Sequence, residues 1–83
     1  MDEKDFSLRL AQLREKKGIS ARDMSLSMGQ NSGYINNIEL GKSMPSLSGL
    51  LYICDYLNIT PRDFFDMDSH NSSKVNEILT DLY

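Results

Sequence analysis

Apolar side chains recur along much of this chain at intervals of three and four residues, which is the spacing of one face of an α-helix. The first such stripe consists of Phe6, Leu10 and Leu13. It predicts a helix over about residues 5–17 that ends at Gly18, because glycine is common directly after a helix end.

A second helix is predicted directly after Ser20. The hydroxyl of Ser20 can accept a hydrogen bond from a free backbone N–H, and Asp23, three residues on, favours the positive start of a helix. Met24 and Met28 then fall on one face, at positions i and i+4. Because Gly29 follows where a helix commonly ends, the predicted helix is short.

A third segment follows this glycine turn. Asn31 is a second candidate cap, Ile35 and Ile38 point inward, and Gly41 closes the segment. Ser25, beside the two methionines of the preceding helix, is small enough for the third segment to approach closely. The positions that face outward are Ser32, Gly33, Asn36 and Asn37.

The outward positions of the third segment are small and rich in hydrogen-bond donors and acceptors. Asparagine amides can pair with adenine in the major groove of DNA, and a serine hydroxyl can reach bases or phosphates. Two short helices joined by a glycine turn are suited to presenting one helix to DNA. An ordinary solvated helix has the same residue types, so composition alone leaves both interpretations open.

A fourth helix is predicted after the loop that follows Gly41. Pro45 lies at or just before a helix start and Ser46 is the candidate cap, which places the helix over residues 46–57. Gly49 weakens it modestly. Its apolar face is formed by Leu47, Leu50, Ile53, Cys54 and Leu57.

The sequence around Thr60 repeats the signal for a helix start. Thr60 is the candidate cap, Pro61 occupies the first helical position, and Asp63 lies three residues beyond the cap. The short fifth helix predicted here carries Phe64 and Phe65 into the core.

The chain of 83 residues is long enough for one small helical domain, which we place over residues 1–66. Residues 67–73 are polar and lack periodicity, as is typical of a linker. Residues 74–83 form a predicted amphipathic helix that is too short to be stable alone in water, so we expect it to dock on its own domain or on a partner. Its apolar stripe consists of Val75, Ile78, Leu79 and Leu82.

Charge is unevenly distributed along the chain. The formal net charge of −3 argues against nucleic acid, because DNA affinity comes largely from Lys and Arg that meet phosphates. However, residues 9–42 carry six basic and three acidic side chains, whereas residues 63–83 carry five acidic side chains and one lysine. Since the basic part contains the two short helices, the asymmetry fits a molecule with one DNA-facing side.

Few residues in the chain favour catalysis or metal binding. The single cysteine, Cys54, lies in an apolar run and is expected to be a small buried hydrophobe. His70 lies in the predicted linker, and Asp63, Asp66 and Asp68 lack the glycine and terminal glutamate of a calcium-binding EF-hand loop. We therefore expect no enzymatic activity, no cofactor and no metal. Since no membrane span or signal peptide is evident, we expect a cytoplasmic protein.

With its elements in this order, the chain resembles the Cro and lambda-repressor-like helix-turn-helix family, also called the XRE type, over about residues 6–65. The segments that carry the resemblance are LREKKGIS from Leu13, MSLSMG from Met24, YINNIELGKSMPSL from Tyr34 and LNITPRDFF from Leu57. The resemblance implies an all-α fold, a compact five-helix lambda-repressor-like domain with a short extra C-terminal helix. It also implies a transcriptional repressor whose partner is a double-stranded DNA operator.

The resemblance assigns roles to individual residues. It pairs Arg14 with Glu39, which ties the first helix to the end of the recognition helix, and it places that recognition helix, residues 31–38, in the major groove. The residues that it places at DNA bases, which we call the polar surface, are Asn31, Ser32, Gly33, Asn36 and Asn37. Those that it places against phosphates are Ser20, Arg22, Tyr34, Lys42 and Ser43.

Three residues depart from the family pattern and predict weak DNA binding by a single domain. Ala21 replaces a glutamine that clamps a phosphate, Gly33 removes a side chain from the centre of the polar surface, and Gln30 replaces a small apolar turn residue. Because two half-sites roughly add their binding energies, we expect a homodimer. Its predicted surface consists of apolar residues that lie off the core stripes or need cover, namely Leu26, Tyr52, Tyr56, Leu79 and Leu82.

A second hypothesis stays open beside the regulator. An acidic chain whose polar surface lacks Lys and Arg also fits a protein-interaction module, or an antitoxin-like protein whose C-terminal segment holds a protein partner. Such a module keeps the fold but binds DNA weakly or not at all. Sequence-specific, salt-sensitive DNA binding separates the regulator from this alternative.

Overall fold

The computed structural model describes residues 1–66 of the chain. These residues form five α-helices and no strand, so the predicted all-α fold class is confirmed for them. The helices are α1 (Glu3–Lys16), α2 (Ala21–Ser27), α3 (Tyr34–Glu39), α4 (Leu47–Leu57) and α5 (Pro61–Phe64). The predicted linker over residues 67–73 and the predicted helix over residues 74–83 lie outside the described part of the chain.

Helix α1 begins at Glu3, earlier than the sequence pattern predicts, because two aspartates form a reciprocal cap. The backbone N–H of Asp5 donates to Asp2 Oδ1 at 2.9 Å, and the backbone N–H of Asp2 donates to Asp5 Oδ2 at 3.0 Å. The first of these hydrogen bonds holds the pKa of the Asp2 carboxyl below its ordinary value. At the other end, Gly18 has a φ of +71° and terminates the helix as predicted.

The core draws side chains from all five helices. The central pair joins the first helix to the last, since the rings of Phe6 and Phe64 have centroids 5.1 Å apart. Every buried apolar side chain of the described residues was expected from the sequence, Phe64 from the predicted fifth helix and the others from helical periodicity. They are Phe6, Leu10, Met24, Ile35, Ile38, Ile53, Cys54, Leu57 and Phe64.

Two apolar residues predicted to face the core are exposed instead. Leu47 is the first residue of α4 and is 74% exposed. Contact with the core begins one turn later, at Leu50. Phe65 is 43% exposed, whereas the neighbouring Phe64 is fully buried. Successive residues on a helical turn point about 100° apart, so only one of the two rings can point inward.

Helix α1 also holds α5 in place, through the half-buried Arg9 in its middle. Arg9 Nε donates to the carbonyl oxygen of Phe64 at 2.7 Å, and Arg9 Nη2 donates to that of Asp63 at 2.7 Å. The last carbonyls of a helix have no partner within the helix, so this guanidinium satisfies two of them in α5. Arg9 thereby anchors the end of α5 to α1.

Candidate nucleic-acid interface

A buried serine joins the two helices of the central unit. Ser25 Oγ donates to the carbonyl oxygen of Ala21 at 2.7 Å and accepts from the backbone N–H of Ile35 at 2.9 Å. Ser25 is fully buried, and the N–H that it satisfies belongs to the first turn of α3. The sequence indicated that a small residue here allows a close approach, but it did not indicate this hydrogen bond.

The far end of α3 is held by an ion pair. Arg14 Nε donates to Glu39 Oε2 at 2.6 Å and Arg14 Nη2 donates to Glu39 Oε1 at 2.9 Å. Their side chains are only 14% and 10% exposed. The hydrogen bonding to Glu39 raises the pKa of Arg14 above its ordinary value. Arg14 Nη1 also donates to the carbonyl oxygen of Ile19 at 2.7 Å, so one guanidinium orients α1, the loop before α2 and α3.

A second buried serine reinforces this end of α3. Ser7 Oγ on α1 donates to the carbonyl oxygen of Ile38 at 2.7 Å, and Ser7 is buried. Sequence reasoning missed this residue. The available signal was its place beside Phe6, next to the apolar stripe of α1, where a small polar side chain can be enclosed between two helices.

The helix that carries part of the polar surface is shorter than predicted. It begins at Tyr34 rather than at Asn31, so Asn31, Ser32 and Gly33 lie in the turn before α3. Asn31 Oδ1 accepts from the backbone N–H of Gly33 at 3.1 Å. Such a side-chain hydrogen bond competes with helical pairing and favours a turn. The predicted helix over residues 31–38 is therefore wrong in its first three residues.

The polar surface thus has two parts. Asn36 and Asn37 are exposed on α3, with Ile35 and Ile38 fully buried on its inner side as predicted. In the turn, Asn31 is exposed, whereas Ser32 and Gly33 are half-buried.

Tyr34 contacts α4 rather than lying free on the surface. Its side chain is half-buried and packs against the core. A Cβ atom at the buried Gly49 would lie 2.8 Å from the Tyr34 hydroxyl oxygen. Gly49 is therefore needed for this close approach, whereas the sequence indicated only that it weakens α4.

The remaining residues expected at phosphates occupy two places beside this unit. Ser20 caps α2 by accepting from the backbone N–H of Asp23 at 3.0 Å, as predicted, and the exposed Arg22 lies in the first turn of α2. Lys42 and Ser43 are exposed in the loop after α3, and the backbone N–H of Lys42 donates to the carbonyl oxygen of Asn37 at 2.8 Å.

An apolar surface lies at the end of α2 and along α4. Leu26 and Tyr52 are 49% and 64% exposed, and Tyr56 is half-buried. A groove of about 370 Å³ runs beside them and is lined by Ser27, Met28, Tyr52, Asp55 and Tyr56. Leu79 and Leu82, which the sequence assigned to the same surface, lie outside the described residues.

The potential metal ligands of residues 1–66 are dispersed, and the thiol in this range is buried. No group of three His, Cys, Asp or Glu side chains in this range is arranged to hold a metal ion. Cys54 is 2% exposed, and burial raises the pKa of its thiol, which disfavours the reactive thiolate. None of the described helices combines the length and the hydropathy needed to cross a membrane.

The chain is similar to known proteins in both sequence and structure. Residues 8–67 match the family described as "Helix-turn-helix domain". The restriction-modification controller protein C.AhdI from Aeromonas hydrophila is 33% identical, with a TM-score of 0.71 over 77% of this chain and 93% of that one.

Two further solved structures, at lower identity, share the fold. The controller protein C.Esp1396I is 23% identical, with a TM-score of 0.71 over 78% of this chain and 83% of its own. The clp gene regulator ClgR from Corynebacterium glutamicum is 21% identical, with a TM-score of 0.72 over 96% of this chain and 84% of its own. No curated protein matches the sequence.

Proposed function

Since the chain belongs to the XRE-type helix-turn-helix family of DNA-binding transcriptional regulators, we propose that it is a repressor that places residues 31–38 in the major groove of an operator. The observation that carries the proposal is the exposed asparagine pair Asn36 and Asn37 on a helix fixed at both ends. If it binds operator DNA, the protein works inside the cell, where that DNA is.

The polar surface favours adenine-containing half-sites. The free amides of Asn36 and Asn37 can each donate to and accept from an adenine edge. Asn31 differs, because its carbonyl oxygen already accepts from the Gly33 N–H and its NH₂ group is the part left to donate. Asn31 is therefore suited to base acceptors such as a purine N7.

Phosphate contacts orient the unit without reading sequence. The exposed cations beside the polar surface are Arg22 and Lys42, with hydroxyl groups from Ser20 and Ser43. Two cations per protomer give four in a dimer, and the expected slope of log K against log salt is about −3 to −4. Tyr34 is assigned to the same set, with its hydroxyl beside Gly49.

Dimerisation compensates for the small number of contacts that one domain makes. We assign the interface to the apolar surface around Leu26, Tyr52 and Tyr56, because large apolar side chains exposed side by side are typical of an interaction site. A two-fold symmetric dimer requires a palindromic operator with half-sites about one helical turn apart.

Fluorescence anisotropy with the DNA upstream of the protein's own gene tests the proposal. We expect salt-sensitive, sequence-specific binding that the double variant Asn31→Ala/Asn36→Ala loses. The matched control is Gln12→Ala, which removes an exposed amide from α1 and should leave binding unchanged. Equal binding by the double variant and the control would contradict the assignment of the polar surface.

One observation favours a second candidate function. Residues 31–38 contain no Lys or Arg, and the chain has a net charge of −3, so the phosphate attraction on which DNA binding depends is small. A protein-interaction or antitoxin-like module would bind a protein partner in fixed stoichiometry and give no shift with any DNA. That result would replace the repressor proposal.

A further inference from the structure

A second apolar groove lies on a part of the domain that the proposed function does not use. It has a volume of about 340 Å³ and lies between the start of α1, the loop before α4 and the end of α5. The large apolar side chains that line it are Met1, Phe6, Met44, Leu47, Leu50 and Phe65.

Four large apolar side chains that line this groove are exposed. Leu47 is 74% exposed, Met1 is 50% exposed, Met44 is 44% exposed and Phe65 is 43% exposed. A contiguous apolar patch on a small domain marks a surface that is covered in the working protein. The groove shares no lining residue with the groove beside Tyr52 and Tyr56, so the proposed dimer interface leaves it uncovered.

The chain itself continues from the edge of this groove. Phe65 lines the groove, Asp66 is the last described residue, and residues 67–83 follow. Within those residues, apolar side chains recur at the i, i+3, i+4 and i+7 spacing of one helical face. They are Val75, Ile78, Leu79 and Leu82.

We propose that residues 75–82 bind this groove in the same molecule as an amphipathic helix and cover Met44, Leu47 and Phe65. Leu79 and Leu82 then belong to this contact and not to the dimer surface to which the sequence assigned them. The connection from Asp66 to Val75 spans nine residues and can reach up to about 30 Å. A helix of eight residues is about 12 Å long. Helix α4, whose first turn lines the groove, has 11 residues and a length of about 16 Å, so the two helices are similar in size.

The short connection favours occupation of the groove by the segment of the same molecule over the segment of a second copy. A short flexible linker holds its attached segment at an effective concentration on the order of millimolar. A second molecule at micromolar concentration competes poorly with such a segment. Eight residues are too few for a stable isolated helix, so docking supplies the contacts that the segment needs.

Methionine-methyl NMR of the full chain tests this docking. Met44 reports on the groove, Met24 reports on the core, and Met28 reports on the apolar surface beside Tyr52 and Tyr56. The double variant Leu79→Asp/Leu82→Asp should move the Met44 methyl resonance and leave those of Met24 and Met28 in place. The matched control Asn76→Asp/Thr80→Asp adds the same two negative charges to the polar side of the predicted segment and should leave all three resonances unchanged.

A groove variant provides the reciprocal test. Leu47→Asp does not disturb the core, because Leu47 is 74% exposed. It should increase the amide hydrogen exchange of residues 75–82 at least tenfold relative to the unmodified chain. An unchanged exchange rate, or an unmoved Met44 methyl in the double variant, would overturn the proposal.

Two other outcomes would also overturn it. If the Met28 methyl moves in place of Met44, the segment binds the surface beside Tyr52 and Tyr56. If the Met44 shift depends on protein concentration, the occupant is a second copy. None of these outcomes bears on DNA binding by the polar surface, so the two proposals fail separately.

Discussion

The variant Gly49→Ala measures how closely the start of α3 is packed against α4. The added Cβ would lie 2.8 Å from the Tyr34 hydroxyl oxygen, 3.3 Å from Pro45 Cβ and 3.3 Å from Ser46 Oγ. The first distance is shorter than a non-bonded carbon–oxygen contact permits, so the ring or α4 has to move. Because Tyr34 is half-buried against the core, its ring has little room to do so.

Two opposing effects set the size of the change. Replacing glycine by alanine where the backbone suits alanine stabilises a protein by about 0.4–1 kcal/mol. Forcing an extra methyl group into filled space costs about 1–3 kcal/mol. The net expectation for Gly49→Ala is a free energy of unfolding lower by about 1 kcal/mol, with a Tm lower by about 4–8 °C in a domain of this size.

A double-mutant cycle with Tyr34→Phe isolates the cause. The phenylalanine lacks the hydroxyl oxygen at 2.8 Å, so Gly49→Ala in the Tyr34→Phe background should be neutral or stabilising. The expected coupling energy is about 1–2 kcal/mol, within the range found for residues in contact. Urea unfolding followed by far-UV circular dichroism on all four proteins gives it. A coupling energy near zero, or a Gly49→Ala protein more stable than its parent, would refute the reasoning.

Three further variants test the contacts around α3. Glu39→Ala should lower the free energy of unfolding by about 3–5 kcal/mol because a mostly buried guanidinium loses its partner, and an unchanged Tm would disprove it. The control Glu15→Ala removes an exposed carboxylate 3.8 Å from the same guanidinium and should change little. Ser25→Ala leaves a buried N–H of α3 without its acceptor and should cost about 1–3 kcal/mol in chemical denaturation. Lys42→Ala should make the salt slope of DNA binding shallower by about 2 per dimer, and an unchanged slope would remove this lysine from the phosphate contacts.

Helix caps were the most predictable part of the fold. Ser20, Ser46 and Thr60 each accept from the backbone N–H three residues on, as their sequence signals indicated. These hydrogen bonds are local, so a few neighbouring residues determine them. The same reasoning was wrong at Asn31, because its side chain pairs two residues on, with the N–H of Gly33, and forms a turn before the helix.

Contacts between distant residues were less predictable. The place of Ser7 beside Phe6 indicates that its side chain can be enclosed, but the sequence does not indicate that its partner is the carbonyl of Ile38, 31 residues away. The role of Gly49 depends likewise on where Tyr34 lies after folding. The Arg14 and Glu39 contact was expected only through the resemblance to a family, since 25 residues separate them. Periodicity identifies an inward face, but it does not identify which polar atoms meet there.

The way in which α3 is held has a consequence for its dynamics. A helix of six residues is not stable in isolation. Ser25 holds its first turn at the N–H of Ile35. At its other end, Ser7 donates to the carbonyl oxygen of Ile38 and Arg14 pairs with Glu39, its last residue. Its amide protons should therefore exchange with solvent only when the whole domain opens. Because α3 is already ordered in the free protein, it loses little conformational entropy when it binds DNA. The free energy of its few DNA contacts therefore contributes to affinity and does not have to offset the cost of folding α3.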